Sequence, residues 1–75
     1  MNDRAFMIAK ERASKEVLSF LDDGYIKQFE VSFDAEETAI MKLRHHINGN
    51  TIKVRVYGRA WEVWKNGKFV KKEFV

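Results

Sequence analysis

The hydrophobic periodicity of the chain changes at Gly24, and this change constrains the fold more than any other feature. Before Gly24, apolar residues recur every three or four positions, at Phe6, Ala9, Ala13, Val17 and Phe20. This spacing places them on one face of a helix over about residues 3–22. After Gly24 the period falls to two, which is typical of β-strands. The pattern therefore predicts one N-terminal helix followed by a sheet.

Both ends of the predicted helix carry residues suited to a helix boundary. Asn2 or Asp3 can cap the start, because a short side-chain oxygen accepts a hydrogen bond from an unpaired first-turn N–H group. Gly24 adopts the left-handed conformation at little cost, so it can end the helix.

Three dipeptides predict how the strands are connected. Asn48-Gly49 and Asn66-Gly67 favour two-residue type I′ turns, because both central positions need positive φ. Gly58-Arg59 favours a type II′ turn for the same reason at its first position. The predicted strands lie at about 25–33, 38–47, 51–57, 60–65 and 68–75. The predicted fold class is α+β: one N-terminal helix packed on one face of a five-strand antiparallel β-meander, as a single domain over residues 1–75.

The predicted turns also set which side chains share a face. A two-residue loop at Asn48-Gly49 places Leu43 opposite Val54, and the next two turns place Val63 opposite Val54 and Val70. The first connection, near residues 34–37, adds Phe29, Val31 and Phe33 to this face if it has three or five residues. The predicted helix-facing set is Phe29, Val31, Phe33, Met41, Leu43, Ile52, Val54, Val56, Trp61, Val63, Val70 and Phe74.

The opposite face of the predicted sheet is basic and aromatic. Alternation places five cations there, Lys42, Arg44, Lys53, Arg55 and Lys71. It places three flat side chains among them, Tyr57, Trp64 and Phe69. Glu62 falls opposite Arg55 and Lys71, so it is expected to be paired. These eight cationic and aromatic residues form the predicted binding surface.

Charge is divided unevenly along the chain. Residues 1–37 hold five Lys or Arg against nine Asp or Glu, a net charge of −4. Residues 38–75 hold nine against two, a net charge of +7. A basic sheet of this kind favours an acidic or polyanionic partner.

The chain lacks the residues that most catalytic and metal sites need. It has no cysteine, which excludes disulfides and thiolate metal sites. Neighbouring strand residues point to opposite faces, so His45 and His46 are not expected to bind one ion. Glu62 is expected to be paired with two cations and not to lie in a pocket, which suits it poorly to general acid–base work. We therefore expect no enzymatic activity, no metal, no cofactor and no small-molecule substrate.

Membrane association is not expected from the apolar pattern. No apolar run approaches the ~18 residues of a membrane span, and the N-terminus has no apolar signal segment. A cytoplasmic protein with no membrane partner is the expectation.

Two ligand classes fit the predicted basic and aromatic face. The favoured hypothesis is a small binding or regulatory protein, an inhibitor or adaptor of the size that phages and mobile elements often encode. Its face would bind an acidic protein surface or a second copy of the chain. The alternative is single-stranded or structured nucleic acid, because Lys and Arg neutralise phosphates and aromatic rings on a sheet stack with unpaired bases.

Overall fold

A single helix crosses one face of a five-strand sheet in the computed structural model, which describes residues 4–75. The elements are α1 (Arg4–Asp22), β1 (Tyr25–Phe33), β2 (Thr38–His45), β3 (Thr51–Tyr57), β4 (Ala60–Lys65) and β5 (Lys68–Phe74). A short 3-10 helix, Asp34–Glu36, joins β1 to β2. The predicted α+β fold is confirmed, and the predicted caps Asn2 and Asp3 lie outside the described residues.

The strands form an antiparallel meander in chain order, from β1 to β5. Within residues 4–75 each strand pairs only with its neighbours along the chain, so β1 and β5 are the two edges of an open sheet. The helix packs over β3, with β1 and β4 beside it. Gly24, at φ 98°, follows the last helical turn as predicted, and its N–H donates to the Leu21 carbonyl.

The core lies between α1 and the three central strands. The helix contributes the predicted stripe of Phe6, Ala9, Ala13 and Val17, all buried. The sheet contributes Ala39, Met41, Leu43, Ile52, Val54, Val56, Trp61 and Val63. Side chains that alternate with these point away from α1, and that side of the sheet is called the outer face below.

The β2–β3 connection is longer than predicted. His45 N–H donates to the Asn50 carbonyl, so four residues, 46–49, form the loop instead of two. The prediction of a type I′ turn at Asn48-Gly49 was therefore wrong. Gly49 has φ 75°, but Asn48 is not in the positive-φ region. The Asn48 side chain instead accepts a hydrogen bond from Asn50 N–H. Leu43 consequently pairs with Ile52 and not with Val54, a shift of two residues that leaves every side chain on its predicted face.

The β1 strand is turned over relative to the prediction. Its connection to β2 has four residues, 34–37, so Phe33 pairs with Thr38 and Val31 with Ile40. An even loop reverses the face that three or five residues would have set. Phe29, Val31 and Phe33 therefore lie on the outer face, 46%, 37% and 49% exposed, and their predicted place in the core was wrong.

A bulge reverses most of β5 in the same way. Trp64 pairs with Phe69 as predicted, but Val63 pairs with Lys71, which leaves Val70 as an extra residue. Val70 and Phe74 are exposed, so their predicted burial was wrong. Val75 packs against the core cluster instead.

Lys71 was wrongly predicted on the outer face. Beyond the bulge it points to the helix side, where its Nζ donates to Glu16 at 2.8 Å and lies 3.0 Å from Glu73. Lys72 takes the outer position opposite Glu62. The hydrogen bond to Glu16, and then that to Glu73, raises the pKa of Lys71 above its ordinary value.

We expect Leu43→Ala to lower the free energy of unfolding by about 2–5 kcal/mol, because Leu43 is fully buried in the centre of the core. Ile47→Ala is the control, since Ile47 is 79% exposed in the β2–β3 loop and its truncation should cost at most about 0.5 kcal/mol. Urea unfolding followed by circular dichroism measures both. Equal losses for the two variants would contradict the packing described here.

The Lys71–Glu16 pair should make stability fall at alkaline pH. A lysine whose folded pKa is raised stabilises the fold fully below its unfolded pKa of 10.5 and ceases to do so as the pH rises through the folded pKa. Because Lys71 is 38% exposed, solvent screening limits the effect to about 0.5 kcal/mol.

The measurement is the free energy of unfolding between about pH 9 and about pH 12. Glu16→Gln should reduce the alkaline loss of unfolding free energy by the contribution of the ion pair. Glu11→Gln is the control and should follow the wild type, because Glu11 forms only an exposed pair at 4.0 Å with Lys15. A Glu16→Gln curve parallel to the wild type would show that the ion pair contributes nothing.

Candidate functional site

The outer face of the sheet gathers the predicted binding residues, with one exchange. Lys42 pairs with Lys53 and Lys53 with Trp64, as alternation across three neighbouring strands requires. The predicted residues found on this face are Lys42, Arg44, Lys53, Arg55, Tyr57, Trp64 and Phe69, and Lys72 replaces Lys71. The sequence carried no signal for the β5 bulge that makes this exchange.

Glu62 organises the basic side chains at the centre of this face. It is only 7% exposed, and its carboxylate lies 3.3 Å from Arg55 Nε and 3.9 Å from Lys72 Nζ. Trp64 Nε1–H donates to it at 3.1 Å. A buried carboxylate needs such partners, because an unpaired charge is costly to desolvate. Glu62 therefore orients three outer-face side chains at once.

The aromatic rings of the basic strands are already covered by cations. Lys53 Nζ lies 5.1 Å from the Trp64 ring centre, and the Arg55 guanidinium lies 4.5 Å from that of Tyr57. Lys72 Nζ lies 5.1 Å from the Tyr57 ring and donates to its hydroxyl at 3.2 Å, which lowers the pKa of Tyr57. Phe69 meets Trp64 edge-on, with ring centres 5.5 Å apart. The Trp64 and Tyr57 rings therefore hold cations in position, whereas Phe69 remains 54% exposed.

Two lysines face each other without a carboxylate between them. Lys42 and Lys53 are directly opposite across β2 and β3, an arrangement that destabilises a sheet through like-charge repulsion. They line a depression of about 150 Å³ together with Thr51, Ile52, Trp64 and Gly67. Among the described residues, neither lysine forms a salt bridge. An anionic group placed here would relieve the repulsion.

An apolar row occupies the β1 end of the outer face. It consists of four exposed side chains, Ile26, Phe29, Val31 and Phe33, and is called the β1 row. Sequence reasoning missed it because the number of residues in the 34–37 connection, on which its orientation depends, was left open. The outer face is thus apolar at β1 and basic from β2 to β5.

The two histidines lie against the end of the helix. Their rings stack with centres 5.2 Å apart, which the prediction of opposite faces did not foresee, because His46 lies beyond the end of β2. His45 Nε2–H donates to the Asp23 carbonyl and His46 Nδ1–H to the Gly24 carbonyl. Their ring nitrogens therefore serve the packing of the β2–β3 loop against α1.

No family model, curated protein or solved structure matches this chain. Along residues 4–75, no helix has the length and apolar character needed to cross a bilayer. Function is therefore inferred from the chemistry of the outer face.

Proposed function

We propose that this is a small, non-enzymatic binding protein, an inhibitor or adaptor whose outer face binds an acidic surface of another protein. One observation carries the proposal. Five cations, Lys42, Arg44, Lys53, Arg55 and Lys72, share the outer face with a single described carboxylate, that of Glu62, which is buried and paired. This gives the face a net charge of +4, which an acidic partner would complement.

The exposed apolar side chains support a protein partner. Phe69 and Phe74 are 54% and 63% exposed beside the cations, and the β1 row continues this apolar surface at the other edge. Aromatic residues and arginine are enriched at protein interfaces, whereas acidic residues are depleted there. The aromatic residues and the two arginines of the outer face follow that trend, whereas its three lysines do not.

Electrostatic repulsion disfavours a second copy of the chain at the basic part of this face, because both copies carry the same charge there. A two-fold contact presents the same surface from both subunits, so each cation would meet a face of equal positive charge. Like charges brought together across an interface cost several kcal/mol. The partner proposed for this part of the face is therefore a different protein.

We expect Lys42→Glu/Lys53→Glu to reduce capture of the partner by at least about tenfold, because it places carboxylates where acidic groups would bind. The assay is a pull-down from nuclease-treated lysate of the native host, followed by titration with the purified partner. Lys65→Glu/Lys68→Glu is a matched control. These two lysines are also directly opposite each other, but the pairing of Lys65 with the buried Ile52 places them on the helix side of the sheet.

Equal loss of binding in both double variants would show that binding depends only on the net charge of the protein. That result would contradict a specific site on the outer face. If the complex forms in untreated lysate and is lost after nuclease treatment, the partner is nucleic acid and not a protein.

Nucleic acid remains the second candidate because of the depression at Lys42 and Lys53, whose unrelieved repulsion would also suit a phosphate. The covered ring of Trp64 argues against base stacking. We therefore expect Trp64→Ala to change the affinity for fluorescein-labelled oligothymidylate by less than about twofold, with Phe33→Ala as the control. A loss of roughly 1–3 kcal/mol, the usual contribution of a stacked base, would favour nucleic-acid binding instead.

A further inference from the structure

The free edge of β1 is exposed along nearly its whole length. Eight of its nine residues are exposed, and only Tyr25 is partly buried. An edge strand presents unpaired backbone N–H and C=O groups that can pair with another strand. The four apolar side chains of the β1 row lie beside this edge.

The two edges of the sheet differ in how they are protected. β5 carries Lys68, Lys71 and Lys72, and charged residues of this kind discourage edge-to-edge pairing. β1 carries one lysine, Lys27, which is neutralised by Glu30 at 2.8 Å. A bulge between Lys27 and Phe29 interrupts β1, so its regular, unprotected part is Phe29–Phe33.

This segment has the same apolar pattern in both directions. It reads Phe-Glu-Val-Ser-Phe, with Val31 at its centre. In an antiparallel pair with itself, Val31 faces Val31, and Phe29 faces Phe33 on the same side of the sheet. A two-fold contact requires this self-complementarity, which a different partner strand would not need. The pattern therefore points to a second copy of the chain.

On the helix side, the same register brings charged groups of the two copies close together. Glu30 of one copy would lie opposite Ser32 of the other. Lys10 Nζ of that other copy is already 3.3 Å from its own Ser32 Oγ and 3.2 Å from Asp34. The register thus places Glu30 of each copy beside the Lys10–Asp34 ion pair of the other, in which Asp34 is 3.1 Å from Ser32 Oγ.

We infer that two copies associate through antiparallel pairing of Phe29–Phe33, with the two-fold axis at Val31. The two sheets then form one continuous sheet whose β1 rows meet at the centre. The cations lie on β2 to β5, so the basic parts of the two outer faces remain apart and accessible. This contact uses a different surface from the one proposed to bind an acidic protein, and each can fail without the other.

Single cysteines test the register directly, because the chain has none of its own. Val31→Cys places two cysteines opposite each other, where paired Cβ atoms lie about 4.5–5.5 Å apart, within reach of a disulfide after small adjustment. Phe29→Cys alone separates them by four residues along the strand, roughly 14 Å. Phe29→Cys/Phe33→Cys brings them opposite each other again. Mild oxidation and non-reducing electrophoresis should therefore cross-link the first and third variants and not the second.

Phe69→Cys, on the β5 edge and 54% exposed, is the control for random collision. Cross-linking of this control or of Phe29→Cys as fast as that of Val31→Cys would overturn the inference.

Sedimentation equilibrium gives a second readout without cysteines. The wild-type mass should rise with concentration, and Val31→Lys should remain monomeric because it opposes two ammonium groups at the axis, whereas Trp64→Glu should still associate. Val31 is 37% exposed, so the fold should accept the lysine. A monomeric wild type up to about 1 mM, or loss of association in Trp64→Glu alone, would contradict pairing at β1.

Discussion

The structure depends on the burial of alternate residues of β3 beneath α1. Ile52, Val54 and Val56 are at most 1% exposed, so the residues between them must point outward. The partner strands β2 and β4 follow this alternation through their register with β3. The segregation of cations from the core is therefore a consequence of packing one helix on one side of the sheet. No other element of residues 4–75 covers the outer face.

Glu62 holds the central side chains of the outer face in position. Without a central carboxylate, Arg55 and Lys72 would repel each other across β3, β4 and β5, and the indole N–H of Trp64 would lose its acceptor. The cost of keeping Glu62 buried is offset by three partners. Among residues 4–75, the outer-face cations that form no ion pair are Lys42, Arg44 and Lys53, and they lie at one side of this arrangement. The outer face is therefore neutralised at its centre by Glu62 and carries its unpaired charge to one side.

The elements were predictable from the sequence because periodicity and turn chemistry are local. Strand β3 begins and ends where predicted, and Asn66-Gly67 has the two positive φ values of a type I′ turn. Which side chains of the edge strands point towards α1 was not predictable. It depends on one residue more or less in a connection, for β1, or within the strand itself, for β5. One residue in the 34–37 connection decided the place of Phe29, and one bulged residue, Val70, decided that of Lys71. The residues of the outer face were therefore predicted on β2, β3 and β4, whereas those on β1 and on β5 beyond Val70 were not.

All of these features require that the outer face is an open, cationic surface while α1 closes the opposite side of the sheet. Paramagnetic relaxation of assigned side-chain protons, compared between an anionic and a neutral gadolinium chelate, tests it without any partner. The anionic probe should enhance relaxation most at Lys42, Lys53 and Arg55, and Val54 should be shielded from both probes. Equal enhancement by the two probes at those cations, or strong relaxation of Val54, would contradict it.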